Sequence, residues 1–246
     1  MSEATAELAL SSAEQQKGDY PAALKHAQKA IALKPEMVSA HFAAAVIADG
    51  MCIPNAQPGP NMRECNLAIQ EYKRVLEIDA SHQEASKDLA YLLWQFGREE
   101  SEAFYRKALA LNPNDPEALA AVAAIDANRS WKEIALGKAA LPAGKSLIGF
   151  SWCSEIRENN VARVNEGISL LTKALGIKND NIEFMGWLSQ LYRTRAEIQC
   201  GNPPAYRADT TEARKWDRLR SATRTIGGDH SLRRYPPAPP PGPPEK

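Results

Sequence analysis

The sequence predicts an all-α fold made of helical hairpins that stack as a solenoid. Apolar residues make up 44% of the chain and aromatic residues only 7%, while alanine is abundant, a composition that suits closely packed helices. Between Ala23 and Ile31, apolar residues recur at spacings of three and four, which marks one face of a helix. A pattern of two such helices around a glycine occurs at Gly18–Pro35 and again at Leu89–Pro113.

The spacing of equivalent residues supports a repeat. Ala30 and Ala108 each precede a proline by five residues and lie 78 residues apart, and Ala174 follows after another 66 residues. Both intervals are close to two periods of about 34 residues, the length of a stacked helix–turn–helix unit. An insertion at 50–62, rich in proline and glycine, accounts for the surplus in the first interval.

In the first half of the chain, a helix over 4–16 precedes a turn in which Pro21 suits the first turn of the next helix. The next helices are expected over 39–49 and 64–78, on either side of the insertion. Gln83–Asn112 forms a third hairpin, and Pro116 and Glu117 favour the start of another helix. We therefore predict repeats over 4–127.

The second half of the chain has a weaker pattern. Residues 128–160 are predicted to be a degraded repeat or an irregular helical connector, because Leu141–Gly144 breaks a short helix. Amphipathic helices return over 161–226. The last segment, 227–246, is predicted to be a disordered proline-rich tail, since proline lacks an N–H group and fixes φ.

The residues of the clearest repeats resemble those of the tetratricopeptide repeat family. They are Gly18, Tyr20, Ala23, Ala30 and Pro35 in the first repeat, and Leu89, Ala90, Tyr105, Ala108 and Pro113 in the third. More narrowly, the chain is similar to acidobacterial tetratricopeptide proteins. The resemblance implies about six hairpins in a right-handed superhelix, whose first helices line a concave groove that binds a protein or peptide.

By phase with the family pattern, eight residues are expected to face that groove, although packing against a neighbouring helix is the alternative for the aromatic ones. These partner-binding candidates are Phe42, Val46, Lys87, Tyr91, Trp94, Gln95, Gln190 and Arg193. Family members that bind acidic chaperone tails carry a clamp of Lys, Asn and Arg. At those places this chain has Leu8, Ser12 and Ala43, followed by Lys87 and Tyr91, so that partner is not expected.

The sequence offers no catalytic, cofactor or metal site. No glycine-rich phosphate loop or serine elbow occurs, and the four histidines are scattered. The expected function is therefore a non-enzymatic scaffold or adaptor that binds a peptide or helix.

The charge distribution suggests an alternative function. The formal net charge is zero, but from Met1 to Glu102 fifteen acidic residues face nine basic ones, and the compensating cations lie downstream. The basic helix over 205–224 could bind an anionic ligand or nucleic acid. Acidic residues interleaved at Asp209, Glu212 and Asp217 count against that alternative.

The cysteines and the N-terminal residues bear on the cellular compartment of the protein. Cys52 and Cys65 flank one loop and could pair, but free thiols are expected for all four cysteines. The N-terminal residues lack a basic stretch followed by an apolar one, which predicts a cytoplasmic protein as written, or an exported one if the start is trimmed. In the tail, Arg233–Pro239 and Arg234–Pro240 fit a polyproline ligand pattern, although a plain flexible tail is favoured.

Overall fold

A computed structural model of the protein describes residues 2–53, 61–141 and 147–225. These residues form ten α-helices and one short 3₁₀ turn, with no strand among them, which confirms the all-α prediction. In chain order the helices are α1 (Glu3–Lys17), α2 (Tyr20–Leu33), α3 (Val38–Met51), α4 (Asn61–Ile78), α5 (Gln83–Gln95), α6 (Ser101–Leu111), α7 (Pro116–Ala139), α8 (Cys153–Ile177), α9 (Ile182–Glu197) and α10 (Pro203–Thr225).

Consecutive helices pair as hairpins within two compact units. The first unit, Met1–Asn112, contains the pairs α1/α2, α3/α4 and α5/α6. The second unit, Pro113–Lys246, contains α7/α8 and α9/α10. The described ranges therefore hold five hairpins rather than about six. Each hairpin also contacts the next one in its unit, through α2 with α3, α4 with α5, and α8 with α9.

Local sequence signals set the helix ends. Gly18 ends α1 with a φ of 82°, a left-handed conformation that glycine adopts without a steric penalty, and its N–H donates to the Gln15 carbonyl. The Asp19 carboxylate accepts from the Ala22 N–H at the start of α2. Asp115 and Asn181 cap α7 and α9 in the same way. The turns thus follow the chemistry that the sequence predicts.

Small residues let the two helices of a hairpin approach closely. Ala23, Ala27 and Ala30 on α2 are completely buried. Buried serines on first helices also donate to carbonyls of second helices, and the same bond recurs in three hairpins. The donor–acceptor pairs are Ser11 with Ala23 (2.8 Å), Ser86 with Phe104 (2.8 Å) and Ser189 with Ala213 (3.0 Å). A buried hydroxyl is thereby satisfied without a bulky side chain.

Residues 128–160 contain the end of one long helix and the start of the next. Residues 128–139 belong to α7 and residues 153–160 to α8. The ten consecutive residues Ala118–Ala127 are all buried. A helix that is buried on every face has no polar stripe, and its periodicity is therefore weak.

All four cysteines are paired, so the expectation of free thiols is wrong. Cys52, which ends α3, is bonded to Cys65 on α4, and Cys153, which begins α8, is bonded to Cys200 just beyond α9. The physical reason is that antiparallel neighbours bring the end of one helix beside the start of the other. The cysteines of the second pair are 47 residues apart in sequence, so no local sequence pattern predicts that they form a disulfide.

The predicted tail and the predicted insertion fall largely on residues that the structure does not describe. The proline-rich tail, 227–246, and most of the insertion at 50–62 lie outside the described residues. Across the helices that are described, none combines the length and apolar character needed to cross a bilayer.

Reduction of the disulfides should destabilise both units. In the chain-entropy description, a loop closed by 13 residues contributes about 3 kcal/mol to the free energy of unfolding, and one closed by 47 residues about 4 kcal/mol. Urea unfolding of Cys52→Ala/Cys65→Ala and Cys153→Ala/Cys200→Ala, with and without reductant, measures each contribution. The variant lacking all four cysteines should not respond to reductant. Four reactive thiols in the unreduced, unfolded wild type would contradict the pairing.

Candidate functional site

The first unit carries a concave groove on its surface. It has a volume of about 770 Å³ and lies between α1, α3 and the start of α5. Apolar and polar side chains share its walls, which suits a ligand with both characters. The lining residues are Leu8, Ser11, Ser12, Gln15, Lys34, Glu36, Met37, Val38, Ser39, Phe42, Ala43, Val46, His82 and Glu84.

An aromatic pair lines this groove. The Phe42 ring on α3 lies 4.6 Å from the His82 imidazole and 6.1 Å from the Tyr72 ring, centroid to centroid. His82 caps α5, because its Nδ1 accepts from the Ala85 N–H at 3.2 Å. A neutral imidazole in that position carries its proton on Nε2. Phe42 is therefore held by packing on one side and remains partly exposed on the other.

The first helices are held in place by the serine bonds described above. Ser11 lies on the groove wall and is 1% exposed, so its bond to the Ala23 carbonyl ties the wall to α2. Ser12, the next residue, is exposed in the groove. The wall is thus bonded to α2 on its buried side, while a small exposed side chain at Ser12 leaves the groove open.

The predicted partner-binding residues fall into three sets. Phe42 and Val46 are brought together in the groove of the first unit. Gln190 and Arg193 are brought together in a depression of the second unit. The other four lie on α5 or at its end, are partly buried, and line neither concavity; these are Lys87, Tyr91, Trp94 and Gln95.

Several groove residues were not predicted as binding residues. Ser12 and Gln15 lie four and seven residues after Leu8, so helical phase alone could have found them. Met37, Ser39 and His82 lie at helix starts, where no periodic signal marks them.

The depression of the second unit is small, about 140 Å³, and lies between α9 and α10. Arg193 pairs with Asp217, which also accepts from the Ser189 hydroxyl at 2.7 Å. The Arg220 guanidinium lies flat against α9, where a Cβ atom at Gly186 would come within 3.1 Å of its Cζ. Gly186 therefore leaves room for the Arg220 guanidinium against α9.

A buried carboxylate anchors α10 to the rest of the second unit. Asp209 is 4% exposed and accepts from Arg195 Nη2 at 2.6 Å and from Gln199 Nε2 at 2.6 Å. The Gln199 Oε1 atom accepts in turn from Arg157 Nη1 at 2.9 Å, which links α8 to the network. Arg195 also lies 5.0 Å from the Tyr192 ring centroid, and burial raises the pKa of the Tyr192 phenol.

Three arginines form a stripe on the exposed face of α10. Arg207, Arg214 and Arg218 are separated by seven and four residues, so they lie on one side of the helix, and all three are exposed. The acidic residues of α10 are engaged elsewhere: Asp209 in the buried network, Asp217 with Arg193, and Glu212 with Lys215. The stripe therefore has no acidic residue within it. We call these three residues the arginine stripe.

Comparison with known proteins identifies the repeat. The sequence model of the tetratricopeptide repeat matches residues 88–115, which span most of α5 and all of α6. The solved structure of MamA, residues 41 to the end, from Desulfovibrio magneticus RS-1 superposes with a TM-score of 0.61 at 11% identity, over 93% of this chain and 99% of that one. The chain is a tetratricopeptide-repeat protein.

Two further solved structures share the tetratricopeptide fold. YrrB, described as a tetratricopeptide protein with an unusual peptide-binding site, superposes with a TM-score of 0.55 at 12% identity, over 91% of this chain and 92% of YrrB. PilF of Pseudomonas aeruginosa superposes with a TM-score of 0.52 at 17% identity, over 92% of this chain and 78% of PilF. These identities support a shared fold alone. No curated protein sequence matches this tetratricopeptide protein.

The Asp209 network yields a stability prediction. Asp209→Asn should lower the free energy of unfolding by about 2 kcal/mol, because it leaves the partly buried Arg195 guanidinium without its counter-charge. Urea unfolding followed by circular dichroism measures the change. Asp180→Asn, in an exposed turn, is the matched control and should alter stability by less than about 0.5 kcal/mol. Equal effects of the two variants would show that the network contributes no stability.

Proposed function

We propose that this tetratricopeptide protein is an interaction scaffold whose groove between α1, α3 and α5 binds an extended peptide of a partner protein. The observation that carries the proposal is the groove itself, about 770 Å³ in volume, with the Phe42–His82 pair among its lining residues. Tetratricopeptide folds are protein-interaction scaffolds in general. YrrB, which has the same fold, carries an unusual peptide-binding site, and this supports a similar role for the present chain.

The chemistry of the groove supports an extended peptide. Phe42 and Val46 offer apolar contact for a ligand side chain, and partly exposed aromatic residues often dominate binding free energy. The Ser12 and Ser39 hydroxyls and the Gln15 amide can donate to carbonyls of a peptide backbone. An extended chain exposes such carbonyls, whereas a helix uses them internally.

Filling the groove should abolish peptide binding. Ser12→Trp and Ser39→Trp each place an indole on an exposed lining position, and we expect at least about tenfold weaker binding, a loss of about 1.4 kcal/mol. Peptides selected from a random display library against the wild type provide the ligands, and calorimetry measures their affinity. Ala32→Trp, on an exposed part of α2 outside the groove, is the matched control. If peptides bind all three variants equally, the groove is not the binding site.

We also propose that partly exposed side chains of α5 extend the binding surface. Tyr91 and Trp94 are three residues apart and share one side of α5, with Lys87 and Gln95 beside them. On this proposal, Tyr91→Ala/Trp94→Ala weakens longer peptides more than short ones. An equal effect on both would indicate a packing role. Gln190 and Arg193 are proposed as a separate contact in the second unit.

A second candidate function rests on the arginine stripe. Arg207, Arg214 and Arg218 would contact an anionic ligand together, since no acidic residue lies between them on that face. Three phosphate contacts predict that the logarithm of the binding constant falls with the logarithm of salt concentration with a slope of about 2.7. The same salt dependence applies to other polyanions, so nucleic acid is one class of ligand among several.

The stripe can be tested with a defined polyanion. Arg207→Gln/Arg214→Gln/Arg218→Gln should bind immobilised heparin more weakly than wild type and elute at lower salt, because three cationic contacts are lost. Arg74→Gln/Arg106→Gln, which removes ion-paired arginines of the first unit, is the control. Identical elution of wild type and the triple variant would exclude the stripe as a binding surface.

We further propose that the protein works in an oxidising compartment, in place of the cytoplasm expected from the sequence. The support is that all four cysteines form disulfides, which are rare in reducing compartments. Acid quenching of native cells followed by thiol alkylation should find no free thiol on the protein. Four alkylated cysteines would favour the cytoplasm.

A further inference from the structure

We propose that the groove between α1, α3 and α5 selects extended partner segments in which every second residue is apolar and a basic residue flanks these apolar residues. The inference rests on the proposed function, because it names the chemistry of the segment that the same groove takes. All the protein groups involved lie within the first unit, Met1–Asn112.

Three apolar side chains form a row along the groove. Val38, Phe42 and Val46 follow one another at intervals of four residues on α3, and all three are partly exposed where they line the groove. On their other side they pack against the buried core formed by α3, α4 and α5. We call these three residues the apolar row. Because the row is held from behind, it offers fixed contacts for apolar side chains of a ligand.

The spacing of the apolar row matches an extended chain. An α-helix rises about 1.5 Å per residue, so neighbouring members of the row are about 6 Å apart along the helix axis. An extended segment rises about 3.3 Å per residue, and its alternate side chains point to the same side, about 6.6 Å apart. Over the whole row the two spacings differ by only about 1 Å. Three alternate apolar residues of a segment that runs along α3 can therefore each contact one member.

Small residues beside the apolar row leave room for the backbone of such a segment. Ser39 and Ala43 directly follow Val38 and Phe42 in sequence, and both line the groove. Ser12 is an exposed small residue on the wall that α1 forms. The Ser12 and Ser39 hydroxyls can donate to backbone carbonyls of the segment. Apolar side chains of the segment can thus reach the row while its backbone keeps hydrogen-bond partners.

One acidic side chain on the groove wall is available to a basic residue of the ligand. Two carboxylates line the groove, and Glu36 is already paired with Arg74, whose Nη2 lies 2.6 Å from the Glu36 Oε1. The exposed Glu84 carboxylate has no ion-pair partner among the described residues. Lys34 also lines the groove, but the first unit has fifteen acidic and eleven basic residues, and this excess of acids favours a cationic segment.

Selection from a random peptide library tests both parts of the inference. Peptides are selected against wild type, Glu84→Lys and Glu99→Lys, the last being a matched charge reversal in the exposed turn between α5 and α6. We expect wild-type peptides to carry apolar residues two positions apart and Lys or Arg at one fixed position beside them. Glu84→Lys should keep the apolar spacing and change the flanking residue to Asp or Glu, whereas Glu99→Lys should alter neither feature.

The affinity of one selected peptide measures the contribution of the ion pair. Replacing its basic residue by Glu should weaken binding to wild type about fivefold, which corresponds to about 1 kcal/mol, the upper range for an exposed ion pair. The same replacement should strengthen binding to Glu84→Lys. Both effects should shrink as salt is raised, because exposed charges are screened.

The possible outcomes separate this inference from the proposed function. Peptides whose apolar residues recur at three and four positions would indicate a helical ligand and overturn the alternating pattern. If wild type and Glu84→Lys select the same flanking residue, the role of Glu84 is wrong, while binding that is lost in Ser12→Trp still supports the peptide groove. If Ser12→Trp weakens the binding of no selected peptide, both proposals fail.

Discussion

Close contact between the two helices of each hairpin holds this structure together, and small side chains make that contact possible. Alanines such as Ala23 and Ala27 are completely buried where α2 meets its neighbours. Three serines add a hydroxyl-to-carbonyl bond between the two helices of three hairpins. Small side chains let the backbones of the two helices lie close together, so each first helix is held in place by its second helix. First helices of stacked hairpins can then line a common surface.

The surfaces with a candidate function follow from that arrangement. First helices α1 and α3 supply the groove walls, and the turn before α5 adds His82. The arginine stripe instead lies on α10, a second helix whose inner face is fixed by the Asp209 network and by the contact of Arg220 with Gly186. A peptide groove and a cationic face are thus carried by different helices, and each can be altered without the other.

Much of the fold could be predicted from the sequence because its signals are local. Gly18 and Asp19 mark a turn by their own chemistry, and apolar spacing marks the amphipathic helices. Phase with the family pattern predicted Phe42 and Val46 as groove residues, and both line the groove of the first unit, while their part in binding stays a prediction. The periodic signal is weak where burial is complete, as over Ala118–Ala127, because a helix without a polar face has little period to detect, and Pro116 and Glu117 mark the start of that helix instead.

Other features depend on distant parts of the chain meeting in space. Cys153 and Cys200 are 47 residues apart, and the sequence around either cysteine does not predict which cysteine it pairs with. The interleaved acids of α10 counted against a cationic surface when only the sequence was considered. In the structure, Asp209 and Asp217 face α9 and leave the opposite side to arginine. Which side a charge occupies is decided by its tertiary partners rather than by its neighbours in sequence.

The two disulfides also determine how this protein would respond to mechanical force. A covalent bridge carries tension past the residues it encloses, and the bridges here enclose segments of 13 and 47 residues. At about 3.4 Å per extended residue, an oxidised chain pulled from its ends is about 200 Å shorter at full extension than a reduced one. Most of α8 and all of α9 lie within the larger loop, so they stay unloaded while the rest of the chain is stretched.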